Sequence, residues 1–377
     1  ADYTVVLLPE INGGIVSAKI KLEITGSALL GASSLIKISL ELTSQVKPGL
    51  ANFSEGTYDI IIHECISQVG AIDISLLGSK LPTSALNRIR ESIISDINRQ
   101  VCSVMAVVLN GVKEPVLSSV NVDLPIGSYG KLKYRLAGLP SVTDAYAAYD
   151  IFGDFDVVGK GVISIPDDAV SISPPSIQDY AECRSFHPEF LNMVVAVIGN
   201  IEPQELSLTP DVFSGAAGLR DAILALVPSG GSGIKSTDVF SLKLSPLEGP
   251  VLIFANDNAV AQFTVQIEVF AQNVDGSLAS ILVMGDSLSL ATIFSVVGGK
   301  LSLTLSITSH DLQLVSSGVG ISQVAGLKPH FSSLLGKIIL PLLNGPLRDG
   351  IPMPSIPGTE LVNVNIRIVQ GVLVLCA

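Results

Sequence analysis

Pro341-Leu342-Leu343-Asn344-Gly345-Pro346-Leu347-Arg348-Asp349-Gly350-Ile351-Pro352-Met353-Pro354 closes a helix-forming stretch that opens at Pro329 and leads to the alternating run Leu361-Val362-Asn363-Val364-Asn365-Ile366-Arg367-Ile368. The same plan stands once before. A helix-forming stretch entered at Leu81-Pro82 reaches Leu109-Asn110-Gly111, an offset of 234 from Leu343 (109 against 343), and the expected return strand covers residues 116–124. In both copies Leu-Asn-Gly reads as the helix stop, because Asn and Gly adopt the left-handed conformation that ends helices. A duplicated block of strands, helix, stop and strand implies two related units, which commonly share a task at their junction or in matching cavities.

Composition sets the frame. A chain of 377 residues is longer than a single core of roughly 250 to 300 residues supports, so two domains are expected. Apolar residues make up 48%, charged residues 15%, Trp is absent and mean hydropathy is +0.56, and such excess apolar surface suits the lining of a cavity. The longest apolar run, residues 276–299, contains Asp286 with several Ser and Gly and reads as strand, so no transmembrane segment is expected. The first residues lack a basic segment, an apolar segment and a small-residue cleavage site, the expectation being a form from which any signal peptide has been removed. Net charge is −12, divided evenly between residues 1–180 and the rest, which argues against nucleic acid as a partner and against general attraction to anionic membranes.

Along the chain, residues 17–24 place Ala18, Ile20, Leu22 and Ile24 on one face and Lys19, Lys21 and Glu23 on the other, the mark of an antiparallel strand with one buried side. Residues 35–42, 58–63 and 71–77 repeat the pattern as a meander. Thr83 or Ser84 caps a helix with the apolar stripe Leu86, Ile89, Ile93, Ile97, Val101, Val104 and Val108, suited to covering the open side of a curled sheet. Residues 145–159 read as strand. The Pro-rich residues 166–177 read as the linker between a first domain, 1–165, and a second, 178–377. Helices are expected over 188–198 and 216–227, long strands over 239–314, and a last helix carrying Leu334, Leu335, Ile338 and Ile339, bent or ended by Pro341.

Cys65 and Cys102 have a spacing suited to stapling helix onto sheet, and no CxxC or His/Cys cluster surrounds them to suggest metal. Cys183 and Cys376 either bridge the second lobe or remain buried thiols. Asn52-Phe53-Ser54 is a glycosylation sequon in a polar connection, consistent with secretion.

Three passages resemble the superfamily of bactericidal/permeability-increasing protein, lipopolysaccharide-binding protein, cholesteryl ester transfer protein and the PLUNC proteins. They are Ile72-Asp73-Ile74-Ser75-Leu76-Leu77-Gly78 after Cys65, the helix carrying Cys102, and the tail at 341–354. The resemblance covers nearly the whole chain. It implies an α+β fold, an elongated boomerang of two barrel-like domains, each a twisted antiparallel sheet closed by helices, joined by a central sheet and the Pro-rich linker, with room for an apolar ligand in each barrel. It implies a Cys65–Cys102 disulfide and no partner for Cys183. Such proteins place an N-terminal segment with a helix before the strand at 17–24, and the expectation here is a form without it. The basic N-terminal lobe of the lipopolysaccharide-binding members is missing, so neutral-lipid or phospholipid binding is implied rather than endotoxin binding.

Other motifs lead nowhere. Gly285-Asp286-Ser287-Leu288 spells an esterase nucleophile block, but no Asp-x-x-His follows and the block sits in a strand-like run. His63-Glu64 lacks a second zinc-binding His, and Gly298-Gly299-Lys300-Leu301 lacks the rest of a phosphate loop. Lys131, Lys133 and Arg135 alternate on one strand face, which reads as a solvated face before an anionic-headgroup patch. No catalytic constellation, metal site or cofactor emerges beyond a bound lipid.

The expected protein is therefore secreted and extracellular, takes a phospholipid or fatty-acyl ligand by partition, and acts in innate antibacterial defence with bacterial surface components as further partners. Ile89, Ile93 and Ile97 in the first lobe and Val194, Leu334 and Ile338 in the second are the expected pocket walls. The alternative is a surface-active or microbial-surface-coating protein without exchangeable lipid.

Overall fold

A computed structural model describes residues 2–12, 15–27, 35–77, 83–143, 146–166, 172, 179–229 and 233–377. The fold is α+β, with antiparallel sheets and helices laid against them. The chain forms two compact units, residues 1–121 with 135–152, and residues 122–134 with 153–377. Most of the expected linker, 166–177, lies outside the described residues.

In the first unit β1 (Asp2–Asn12), β2 (Ile15–Ser27), β3 (Leu35–Ser54) and β4 (Thr57–Leu77) form a meander in sequence order. The alternation at 17–24 belongs to β2, and β1, which pairs with it throughout, is a strand that the sequence pattern does not announce. The two strands expected at 58–63 and 71–77 are one, because β4 follows β3 continuously and absorbs mismatches as register shifts. In β3, Ile38, Leu40, Leu42, Ser44 and Val46 are buried while Lys37, Glu41, Thr43 and Gln45 are exposed, the period of two that a one-sided sheet requires.

Helix α1 (Thr83–Val120) lies on this sheet and corrects the expected stop at Leu109-Asn110-Gly111. It runs on through Gly111 and Pro115, and residues 116–120, expected as strand, are its last turn. The reason lies in Asn110. Its carboxamide accepts from the Ile60 N–H at 3.0 Å and donates to the Ile60 carbonyl at 2.9 Å, so it is engaged with β4 and free of any capping role. Gly111 costs a helix only about 1 kcal/mol relative to Ala. Val101 and Met105 are buried, whereas Val104 and Val108, expected in the buried stripe, are 51% and 37% exposed, because the helix turns its 101–105–109 face to the sheet.

After α1 come β5 (Val122–Ile126) and β6 (Gly130–Leu136), a small hairpin of β7 (Ser141–Val142) and β8 (Ala147–Ala148), then β9 (Ile151–Val157) and β10 (Gly161–Ile163). A four-stranded sheet has the order β10-β9-β6-β5. Gly130, at φ 151°, lies so near Asp156 that a Cβ would sit 1.9 Å from its carbonyl oxygen. Residues 122–134 and 153–165 associate with the second unit through such contacts as the Tyr134 hydroxyl donating to the Pro352 carbonyl at 2.6 Å, a burial that pushes the phenol pKa well up.

The second unit continues with β11 (Cys183–Phe186), α2 (Pro188–Ile198), β12 (Gln204–Ser207), α3 (Ala216–Leu226), β13 (Phe240–Pro246), β14 (Val251–Ala255), β15 (Asn258–Gln272), β16 (Leu278–Val297) and β17 (Lys300–Ser316). Then come α4 (Lys328–Asp349), β18 (Ile351–Pro352), β19 (Asn365–Val369) and β20 (Val372–Cys376). The large sheet runs β12-β13-β15-β16-β17-β18, with β14 also on β15, and β11-β20-β19 forms a second. Residues 278–297 are strand, as the Asp286-containing run suggested. Helix α4 repeats the correction of α1: it passes Pro341, Leu343-Asn344-Gly345 and Pro346 and ends at Gly350, whose φ is 90°. The return strand is shorter than expected, beginning at Asn365. The described ladders are open sheets rather than closed barrels, with α1 and α4 lying against β4 and β17.

Candidate functional site

In the first unit the inner face of the sheet and α1 form one apolar layer. Its buried centre is Ile38, Leu40, Leu42, Val46, Ile72, Val101 and Met105, and Ile93 and Ile97 pack on it only partly buried. Ile89 is likewise half-buried. Near that end of the helix Arg90 donates to the Ile72 carbonyl at 3.2 Å. Further along, the Cys65–Cys102 disulfide and the Asn110–Ile60 bonds hold α1 to β4. Lys113 donates to Asn110 Oδ1 at 2.9 Å and to the Tyr58 carbonyl.

The second unit differs. Val194 and Leu334 are fully buried, as are Leu335, Ile339, Leu343 and Leu347 of α4, while Ile338 is half-buried. The first three expected wall residues thus border a loosely covered layer, and two of the other three sit in a sealed core. Cys183 and Cys376 face each other in the β11–β20 ladder and form a disulfide, which decides the open alternative. Spacing could not reveal it, since strand register brings the two together across 193 residues.

Asp286 does have a histidine partner. His310 Nδ1 on β17 lies 2.8 and 3.0 Å from its two carboxylate oxygens, with both side chains buried. Burial raises the Asp286 pKa, the His310 bond and charge oppose the rise, Asp311 adds to it and Lys328 opposes it. Ser287 is exposed, on the opposite strand face from Asp286 by the alternation of β16, so the three do not form a nucleophile set. Lys131 is exposed and Lys133 pairs with Asp156 at 3.5 Å on the same sheet. Asn52 is exposed, with φ 57°, and its amide donates to Asp59 at 3.1 Å. Helix α1 is long and apolar enough to cross a membrane by length and composition. Among the described residues no cluster of three His, Cys, Asp or Glu could hold a metal ion.

Residues 1–112 match the model of the LBP/BPI/CETP family N-terminal domain, and residues 237–377 match that of its C-terminal domain. Human BPI fold-containing family B member 4 is 24% identical over 98% of this chain and 61% of its own length. Mouse BPI fold-containing family B member 3 is 23% identical over 98% of this chain and 77% of its length. The bactericidal permeability-increasing protein of Sebastes schlegelii is 23% identical over 81% and 65%. The chain thus spans about three fifths to three quarters of these relatives. The crystal structure of lipopolysaccharide binding protein aligns over 100% of this chain and 85% of that one, with 16% identity and a TM-score of 0.48.

Proposed function

Because the chain belongs to the LBP/BPI/CETP family, we propose that it is a secreted lipid-binding protein that holds a phospholipid or other acyl-chain lipid between α1 and the sheet of its first unit, in innate antibacterial defence. One observation carries the placement: Ile89, Ile93 and Ile97 remain half-buried over an apolar sheet face, whereas the corresponding layer of the second unit is sealed. An acyl chain entering such a layer gains about 0.8 kcal/mol per buried CH₂, so a dozen methylenes suffice for capture. Two disulfides support an oxidising, extracellular setting. The name of the Sebastes relative supports a bactericidal context. Native mass spectrometry of gently purified protein, followed by organic extraction, tests the reading. One lipid per chain is expected, and a clean lipid-free mass would sink it.

A second reading rests on the outer side of α1, where Val104, Val107, Val108 and Val112 are exposed. An apolar stripe of that kind suits adsorption to an interface. Surface-tension measurements with lipid-free protein separate this role from lipid capture.

A further inference from the structure

Among the described residues, the apolar layer of the first unit holds two hydroxyls with nothing to bond. Ser44 on β3 and Ser67 on β4 are register partners, and both hydroxyl oxygens are buried without a hydrogen-bond partner. Ser44 is 0% exposed and belongs to the buried series Leu40, Leu42, Ser44, Val46, so it faces the side on which α1 lies. Its row is flanked by the pairs Leu42–Val69 and Val46–Cys65, and Cys65 is bonded to Cys102 of α1. A buried unsatisfied hydroxyl costs about 1–3 kcal/mol, and two directly opposite each other in an otherwise apolar face call for a specific partner.

We infer that Ser44 and Ser67 are the polar anchor of the lipid site and donate hydrogen bonds to an ester carbonyl oxygen of the bound acyl lipid. This rests on the lipid-binding reading and narrows it to a chemical class. A hydroxyl is a donor that an ester carbonyl, with two lone pairs, can accept from twice. The flanking inner-face residues Leu42, Val46, Cys65 and Val69 carry no charge, so a free carboxylate brought to this row would be desolvated without a counter-charge, which is far more costly than burying a neutral ester. A pure hydrocarbon would fill the apolar layer and leave both hydroxyls unpaired. The site therefore ranks ester above hydrocarbon and above carboxylate.

Equilibrium dialysis of delipidated full-length protein against methyl oleate, oleate and 1-octadecene, with wild type, Ser44→Ala, Ser67→Ala and the double variant, tests the assignment. Wild type should bind the ester most tightly. Each Ala substitution should weaken the ester by about tenfold and leave 1-octadecene unchanged. Thermal unfolding of the lipid-free variants should show no loss of stability, because each removes an unsatisfied group. Unchanged ester affinity together with lowered stability would overturn the inference and mark the serines as a structural cross-strand pair. Tighter binding of oleate than of methyl oleate would overturn the ester assignment. If wild type binds none of the three, lipid binding itself fails, a result distinct from selective failure of the serine variants.

Discussion

The carboxamide of Asn344 takes the place of a neighbouring strand at Leu305, accepting from its N–H at 2.7 Å and donating to its carbonyl at 2.9 Å in a buried setting. Asn110 does the same to Ile60, and Asn192 to Leu252 at 2.7 and 3.0 Å. In each case a helix residue satisfies a strand on its open side: among the described residues β4 pairs with β3 alone, β14 with β15 alone, and β17 meets β18 at Lys300 and Leu301. A primary amide offers the donor and acceptor that an adjacent peptide would, so one side chain both docks the helix and blocks the edge against foreign strands.

Replacing Asn344 by Ala leaves the Leu305 N–H and carbonyl buried and unpaired. The expected loss is about 2–4 kcal/mol, read by urea unfolding. Asn110→Ala should cost less, since its site is only partly buried and water can replace the amide. Equal losses, or one below about 1 kcal/mol for Asn344, would contradict the edge role.

The Asp286–His310 pair predicts an unusual pH response. A carboxyl whose folded pKa lies above its unfolded value of 3.8 stabilises the fold most when protonated, so its contribution is complete below that value and is lost as pH rises through the folded pKa. Asp286→Asn should remove this component, so its stability relative to wild type should improve between about pH 4 and pH 7. His310→Ala leaves the buried Asp286 carboxyl without its hydrogen-bond partner and should cost about 1–3 kcal/mol. Chemical denaturation across that range decides, and a relative stability of Asp286→Asn that is flat or falls with pH would refute the sign.

The two disulfides should differ in worth. Cys65–Cys102 spans 37 residues and Cys183–Cys376 spans 193, so loop-closure entropy assigns about 4 and about 5 kcal/mol. Cys102→Ser should also loosen α1 from its sheet, increasing hydrogen exchange in residues 93–105, while Cys376→Ser should leave that segment unchanged. Equal exchange in the two variants would show that α1 is held by other contacts.

Ile93→Asp places a charge in the half-buried layer under α1 and should abolish lipid retention, with the fold checked by circular dichroism and an intact Cys65–Cys102 bond. Leu334→Ala, in the sealed core of the second unit, should instead cost about 2–5 kcal/mol of stability and leave lipid stoichiometry alone. Unchanged stoichiometry in folded Ile93→Asp would remove Ile93 from the wall.

By itself the sequence determined the helices α2 and α3 nearly to the residue, the strand nature of 278–297 and the doubled strand-helix plan, because period-two and period-3.6 patterns act over neighbouring residues and need no tertiary partner; the α+β class came with the family resemblance. Tertiary structure alone decided where α1 and α4 end. Leu-Asn-Gly is a local stop signal, yet Asn110 and Asn344 are claimed by Ile60 and Leu305, and a carboxamide bonded twice to a strand outweighs a helix-breaking tendency of about 1 kcal/mol. The Cys183–Cys376 bond, the Asp286–His310 pair and the facing Ser44 and Ser67 likewise exist only through strand register, which joins residues that no local pattern relates.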